Sequence, residues 1–407
     1  MNWKKKLRND WGRLDLTSKV LTDFTIGAGS YGIAASAVDK NELLPTYLRI
    51  TDIYDDGTLN FEGLKSVDDP KSDNYKLEPN DIVFARTGGS TGRNYFYDGE
   101  DGEFIFAGFL IKFSIDPEKC NPKFIKYYCQ SQEYKEWVQS FNTGSTRGNI
   151  NAKTFGNMPI PYVSRKQQDL IVKTLSALDD KIAENKKINH HLAEILQVNL
   201  TQQLNEFHEK YRIGDLDLTV SDHVANGSFK SLKENVELVE KPDYALFLRN
   251  VDLKNKLNGD RRYVTESSYK FLKKSRLYGH EVIISNVADV GSVHRVPKMN
   301  MPMVAGNNVV FLQADNGLLT DYLYVYFNSR LGQHDIESIT SGSAQQKFNK
   351  TDFRNLKIPI LNDEIIHTQI TPLLRYMDNI NGEISRLIEL RDSLLPKLMS
   401  GEISVTV

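Results

Sequence analysis

Gly144-Ser145-Thr146-Arg147-Gly148-Asn149-Ile150 opens a passage that this chain writes twice. It continues through Phe155-Gly156-Asn157-Met158-Pro159-Ile160-Pro161 into a long helical pattern from Arg165. Near the C-terminus it returns as Gly342-Ser343-Ala344-Gln345-Gln346-Lys347-Phe348, then Phe353-Arg354-Asn355-Leu356-Lys357-Ile358-Pro359, then a second helical pattern. Gly144 and Gly342, Asn157 and Asn355, and Pro161 and Pro359 are each 198 positions apart. Upstream the series goes on. Tyr47-Leu48-Arg49 answers Phe247-Leu248-Arg249, and Asp52 answers Asp252. Asn80-Asp81-Ile82-Val83 answers His280-Glu281-Val282-Ile283, and Ala107-Gly108 answers Ala305-Gly306. Phe124, Tyr128 and Ser131 answer Tyr322, Tyr326 and Ser329, and the offset stays between 198 and 200 throughout. One match is chance, but an ordered series at a nearly constant offset is an internal duplication.

The halves differ between these anchors. Tyr31 to Ala37 has no clear counterpart, and the stretch from Arg261-Arg262 to Lys273-Lys274 is basic only in the second half. A shared frame with different loops is the pattern of two binding modules that read two different things. Tyr47 to Ile53, Asp81 to Ala85 and Phe104 to Phe113 read as strands, with turn signals at Asp98-Gly99 and Asp101-Gly102. Pro122 to Ser140 reads as one helix whose aromatic face (Phe124, Tyr127, Tyr128, Tyr134, Trp137) belongs in a core rather than under a base.

Each copy ends in a helix with a narrow apolar seam. Positions 171, 175, 178, 182, 185, 189, 192, 196 and 199 step by four and three, with Asn185 and Asn189 inside the seam. Ile366, Ile370, Leu373, Met377, Ile380, Ile384, Leu387, Arg391, Leu394 and Leu398 follow the same rule. That is a coiled-coil pattern, and a buried Asn in such a seam costs stability while fixing register. The alternative is a helix buried within one domain. Pro372 either follows Thr371 in a first turn or kinks a longer helix. The expected fold is α+β, with an internal pseudo-twofold repeat and the two long helices antiparallel. The expected division is a module at 1–163, a helix at 164–206, a module at 207–361, and a helix and tail at 362–407. A helix of 30–40 residues is about 45–60 Å long, against about 34–36 Å for a DNA turn, so the helices could act as a spacer.

The 407 residues suggest two to three domains, and 40% hydrophobic with 26% charged residues is an ordinary globular composition. A net charge of −2 neither favours nor opposes a polyanionic partner, since a basic face can sit on a neutral total. Cys120 and Cys129 have no metal or redox spacing, and Met1-Asn2-Trp3-Lys4-Lys5-Lys6 has no apolar segment behind it. A reduced cytoplasm is the expected location.

Catalytic signatures fail on inspection. Asn157-Met158-Pro159-Ile160-Pro161-Tyr162 resembles an amino-methyltransferase Asn-Pro-Pro-Tyr motif, but its prolines are displaced. Thr87-Gly88-Gly89-Ser90-Thr91-Gly92-Arg93 lacks the Gly-Lys-Ser/Thr ending of a phosphate loop. Adjacent His190 and His191 point to different faces of a helix. The chain reads as a binder. Its binding candidates are loops that can put Arg and backbone N–H groups on phosphates and Arg, Asn or Gln on base edges. They are Arg86, Thr87, Ser90, Thr91 and Arg93; then Ser145, Thr146, Arg147 and Asn149; then Ser343, Gln345, Gln346 and Lys347. Arg261, Arg262, Lys273, Lys274 and Arg295 could follow a DNA backbone. Ordinary turns and a solvated surface are the competing readings.

Tyr31-Gly32-Ile33 leading to Pro45-Thr46-Tyr47-Leu48-Arg49-Ile50-Thr51-Asp52-Ile53, then Ala85 to Gly92, then Phe106 to Leu110, resembles the specificity subunit of type I restriction–modification enzymes. The Gly-Ser run, the Ile-Pro joint and the seamed helix extend the resemblance over essentially the whole chain. It implies two target-recognition domains, each reading half of a split DNA sequence, with the helices setting the gap. It implies no catalytic activity, cofactor or metal in this chain. S-adenosylmethionine, ATP and Mg would belong to partners: two methyltransferase subunits docked around the helices and two translocase–endonuclease subunits. The second module departs at Asn286-Val287-Ala288-Asp289-Val290-Gly291, which replaces the Arg-Thr-Gly-Gly loop, so contacts are not carried over to it. A free-standing adenine methyltransferase and a coiled-coil adaptor without a DNA role remain as rival readings.

Overall fold

The computed structural model describes residues 18–141, 148–205, 209–257, 259–342 and 345–403. The chain divides into two compact units, one of residues 1–184 with 384–407 and one of residues 185–383.

In the first unit, strand Asp81–Ala85 is buried at every position. Successive side chains of a strand point to opposite faces, so it serves two cores. Ile82 and Phe84 join the aromatic helices, whereas Val83 and Ala85 face a second sheet. The first sheet runs in the order Ser30–Tyr31, Leu110–Ser114, Asp81–Ala85, Asn94–Tyr97, all antiparallel. The second runs Ala37–Val38, Lys65–Val67, Thr46–Leu48, Phe104–Phe106, the last pair parallel.

The second unit repeats this build. Its first sheet is Thr219–Asp222, Val309–Gln313, Val282–Ser285, Val293–Arg295. Val282 and Ile284 face one core and Ile283 the other. Its second sheet keeps the parallel pair as Ala245–Leu248 against Met303–Ala305 and adds Arg276–Leu277 at the edge. Local details recur as well. Asn80 and His280 both hold left-handed backbone, at φ 75° and 77°. Ser131 and Ser329 both cap the second helix of a pair. Asn151 and Asn349 both cap the short helix before the Ile-Pro joint. That joint is a strand in each unit, Pro159–Pro161 paired with Ser18–Val20 and Lys357–Pro359 paired with Lys210–Arg212. A tyrosine hydroxyl donates to a joint carbonyl in both, Tyr128 to Pro159 and Tyr322 to Pro359.

The first long helix, Arg165–Asn205, has 41 residues, about 60 Å at 1.5 Å per residue. In the first unit Ile171, Val172 and Leu175 share a core with Leu395, Leu398 and Met399, and Asp179 binds Arg391 at 3.1 Å. In the second unit Asn189 donates to Asn381 at 2.9 Å, and Leu200 and Leu204 share a core with Ile366 and Ile370. In both units the helix pair runs antiparallel, as expected from the pseudo-twofold repeat. Every named seam position is buried or half-buried.

Three elements differ from the sequence expectation, and a fourth decides between its alternatives. Pro122 to Ser140 is two helices, Pro122–Tyr128 and Gln132–Gln139, because the Ser131 hydroxyl accepts the Tyr134 N–H and starts a new helix. Phe104 to Phe113 is two strands in different sheets. The chain breaks at Gly108, where an added Cβ would lie 3.2 Å from the Ile33 carbonyl. The strand expected through Ile53 stops at Leu48, since Asp52 caps the Arg49 N–H at 2.8 Å. Finally, Thr371 is no cap: the helical backbone starts at Asp363 and passes through a π-helical turn, Ile366–Ile370. That wider turn precedes Pro372, which has no N–H for the usual ladder. The Thr371 hydroxyl instead donates to the buried Asp321 carboxylate at 2.8 Å.

Candidate nucleic-acid interface

Strand Asp81–Ala85 delivers the chain to the surface at Arg86. There the loop is closed by a second segment 62 residues on: the Ile150 N–H donates to the Arg86 carbonyl at 2.9 Å, and Thr87 bridges to Asn149. The Thr91 hydroxyl donates to the Gly148 carbonyl at 2.9 Å and the Gly88 carbonyl at 2.8 Å. Gly88 has φ +78° with open space where a Cβ would sit, while Gly92 has φ +89° and a Cβ there would meet Val138 Cγ1 at 2.4 Å. The Arg86 guanidinium lies over the half-exposed Tyr31 ring, 5.0 Å from its centroid. Its backbone N–H is held by the Phe109 carbonyl at 3.0 Å, and its Nε has no hydrogen-bond partner. Stacking fixes the guanidinium plane without spending its outer donors. The structure thus brings together Arg86, Thr87, Ser90, Thr91 and Asn149. Ser145, Thr146 and Arg147 lie outside the described residues.

The second unit builds the same loop from other residues. The Phe348 N–H donates to the Asn286 carbonyl at 3.1 Å, the Ala288 N–H to the Gln346 carbonyl at 3.1 Å, and Val287 bridges to Lys347. Ala288 keeps the left-handed turn at φ 67°, in the place of Gly88, and Gly291 keeps φ 85°. The frame of the Arg-Thr-Gly-Gly loop therefore survives while its side chains do not, in line with the departure seen in sequence. Gln345, Gln346 and Lys347 are exposed on this loop pair. Ser343 lies outside the described residues.

Several candidate cations are engaged within the fold. Arg93 Nε binds Asp55 at 2.7 Å and its Nη1 the Ile53 carbonyl at 3.1 Å. Arg261 donates twice to the Leu257 carbonyl, at 2.9 and 2.7 Å, and Arg262 pairs with Glu240 at 2.5 Å. Arg295 is set furthest from the expected role. Its side chain is 14% exposed, bound to Asp321 at 3.1 Å and Asp378 at 2.9 Å, so it ties a sheet edge to two helices. Lys273 and Lys274 are exposed, as a backbone-following role requires. Sequence reasoning missed Tyr31 as the platform under Arg86, and missed Lys350 and Arg354 beside the basic stretch Lys273-Lys274-Ser275-Arg276. The signal for these last lay in the duplication: Ala152 and Gly156 of the first copy stand where the second has Lys350 and Arg354.

Among the described residues no group of three or more His, Cys, Asp or Glu side chains could hold a metal, and no helix is long and apolar enough to cross a membrane. Buried His223 and half-buried His294 are both held below the ordinary imidazole range, chiefly by removal from solvent.

Two copies of one loop-bearing module, each packed on a share of the same two helices, define a bivalent recognition protein. The chain belongs to the type I restriction–modification DNA specificity domain family, whose profile matches residues 46–194 and 209–390. It is 23% identical over 321 residues to the type I restriction enzyme MjaIX specificity subunit of Methanocaldococcus jannaschii, covering 70% of this chain and 69% of that one. It is also 23% identical over 310 residues to a putative type I specificity subunit of Mycoplasma pneumoniae, covering 70% and 74% of the two chains. Its fold is similar to that of the type I restriction–modification S subunit from M. genitalium, with a TM-score of 0.53, 18% identity and coverage of 95% and 96%.

Proposed function

We propose that this chain is the DNA-recognising, non-catalytic subunit of a type I restriction–modification complex in the cytoplasm. Each unit reads one half of a split DNA sequence, through the loop pair at 86–93 and 148–150 in the first and at 286–291 and 345–348 in the second. The observation that carries this reading is the duplicated frame with divergent loops: the same backbone hydrogen bonds close both loops, while Arg86 and Gly88 give way to Asn286 and Ala288. One frame with two side-chain sets is what reading two different sequences requires. The helices fix the gap between the half-sites and receive the methyltransferase subunits, two per complex, and two translocase–endonuclease subunits join them. S-adenosylmethionine, ATP and Mg act in those partners. The modules at 1–163 and 207–361 are the readers, and the segments at 164–206 and 362–407 are the spacer.

Exchanging residues 1–163 for the corresponding module of a relative tests this. The expected result is a new first half-site beside an unchanged second one. A target sequence indifferent to the exchange would favour the adaptor reading, and S-adenosylmethionine binding by the purified chain alone would favour the methyltransferase reading.

A further inference from the structure

The second unit carries a basic cleft whose cations are mostly absent from the matching positions of the first copy. Its volume is about 410 Å³, and Lys273, Lys274, Arg276, Lys350 and Arg354 line it. Thr219, Ser221 and Gln313 add hydroxyl and amide groups, and no carboxylate lines it. Arg276 is held in place by stacking on Tyr269, 4.4 Å from the ring centroid, with Nη2 on the Tyr269 carbonyl at 3.3 Å, and its Nε has no hydrogen-bond partner. Lys350 shares Asp222 at 3.0 Å. No carboxylate of the described residues pairs with Lys273, Lys274 or Arg354, so the cleft keeps a surplus of positive charge. The larger cleft beside it, about 620 Å³, is lined by Asp217, Glu281 and Asp315 and has the opposite sign.

The duplication shows what this region is without that surplus. At the matching positions the first copy has Asp73, Asn74, Lys76, Ala152 and Gly156. Its one cation, Lys76, is shared by Asp73 at 3.5 Å and Glu103 at 3.4 Å. The location is also informative. Lys350 follows Phe348, whose N–H closes the 286–291 loop, by two residues. Asp222, its partner, lies on the edge strand opposite Val310, as Tyr31 lies opposite Ile111 in the first unit. Tyr31 is the residue that accepts the Ala152 N–H and carries Arg86. The cleft mouth therefore occupies the place that in the first unit adjoins the reading loop.

We infer that this cleft grips the sugar–phosphate backbone of DNA flanking the second half-site, so that the second unit supplies most of the sequence-independent, salt-sensitive binding. This rests on the DNA-reading role proposed above. Phosphates neutralised by Lys or Arg release counterions, and each contact adds roughly 0.9 to the log–log salt slope. The test uses the assembled complex with a duplex carrying its own target and one without it, titrated over a range of salt. The triple variant K273A/K274A/R354A alters exposed side chains only, and K230A, an exposed lysine away from the cleft, is the control. The expected result is a slope shallower by about 2–3, equal weakening on both duplexes, and an unchanged methylated motif. An unchanged slope overturns the inference, as does thermal stabilisation of the wild type by inorganic pyrophosphate with the DNA slope unaltered. If the wild type itself binds neither duplex, the DNA-reading role fails, and the cleft's with it.

Discussion

Arg249 clamps Asp252 with Nε and Nη2 at 3.0 and 2.6 Å, and the carboxylate also accepts the Arg249 backbone N–H at 2.9 Å. Arg49 and Asp52 repeat the clamp at 2.9, 2.6 and 2.8 Å. In both copies the acid is buried four residues past the end of the strand that forms the parallel pair. Removing the negative charge leaves a guanidinium against apolar packing, and breaking such a pair costs about 3–5 kcal/mol when fully buried. Because the Arg249 side chain is 30% exposed, D252N is expected to cost about 2–3 kcal/mol by urea unfolding. A cost below half a kilocalorie would remove the clamp from the account of the fold.

Arg86, over the Tyr31 ring and with no carboxylate of the described residues paired to it, is the first unit's strongest candidate for base or phosphate contact. R86A is expected to relax or abolish reading of the first half-site and leave the second intact, as scored by which adenines become methylated. Equal loss at both half-sites would mean that Arg86 holds the fold rather than the target.

Burial holds His223 and His294 below their ordinary value of 6.5. The folded protein keeps them neutral, whereas the unfolded chain takes up protons near 6.5. Their contribution to stability is therefore present above that value and is lost as pH falls through the lower folded pKa. The Tm of the wild type is expected to fall between about pH 8 and about pH 5, and less so in H223F/H294Q. Equal slopes in wild type and variant would contradict this assignment.

Asn189, in the seam of the first long helix, donates to Asn381 beside the seam of the second, and a seam Asn with a partner on the facing helix favours one register. Inserting one heptad into each long helix is expected to lengthen the gap while both half-sites stay as they were. Altered half-sites with an unaltered gap would refute the spacer role.

The duplication, the two helix seams and the presence of a glycine-bearing loop after Asp81–Ala85 were legible because they depend on periodicity and repetition within one chain. Break points were not. Gly108 ends a strand through its close approach to a carbonyl from another strand, and Ser131 splits a helix through one hydroxyl. Both choices depend on contacts that an apolar run does not encode. Cations were the least legible. Arg295, Arg93 and Arg262 look alike in sequence to Lys273 and Lys274, yet carboxylates distant in sequence bind the first three. Lys350 and Arg354 carry their signal in the duplication, as charges that replace Ala152 and Gly156.

Sequencing the methylome of a host that expresses this chain with its methyltransferase partner tests the central claim most directly. The account predicts a split motif with one methylated adenine in each half and a fixed gap between them. A continuous short motif, or no motif, would contradict it.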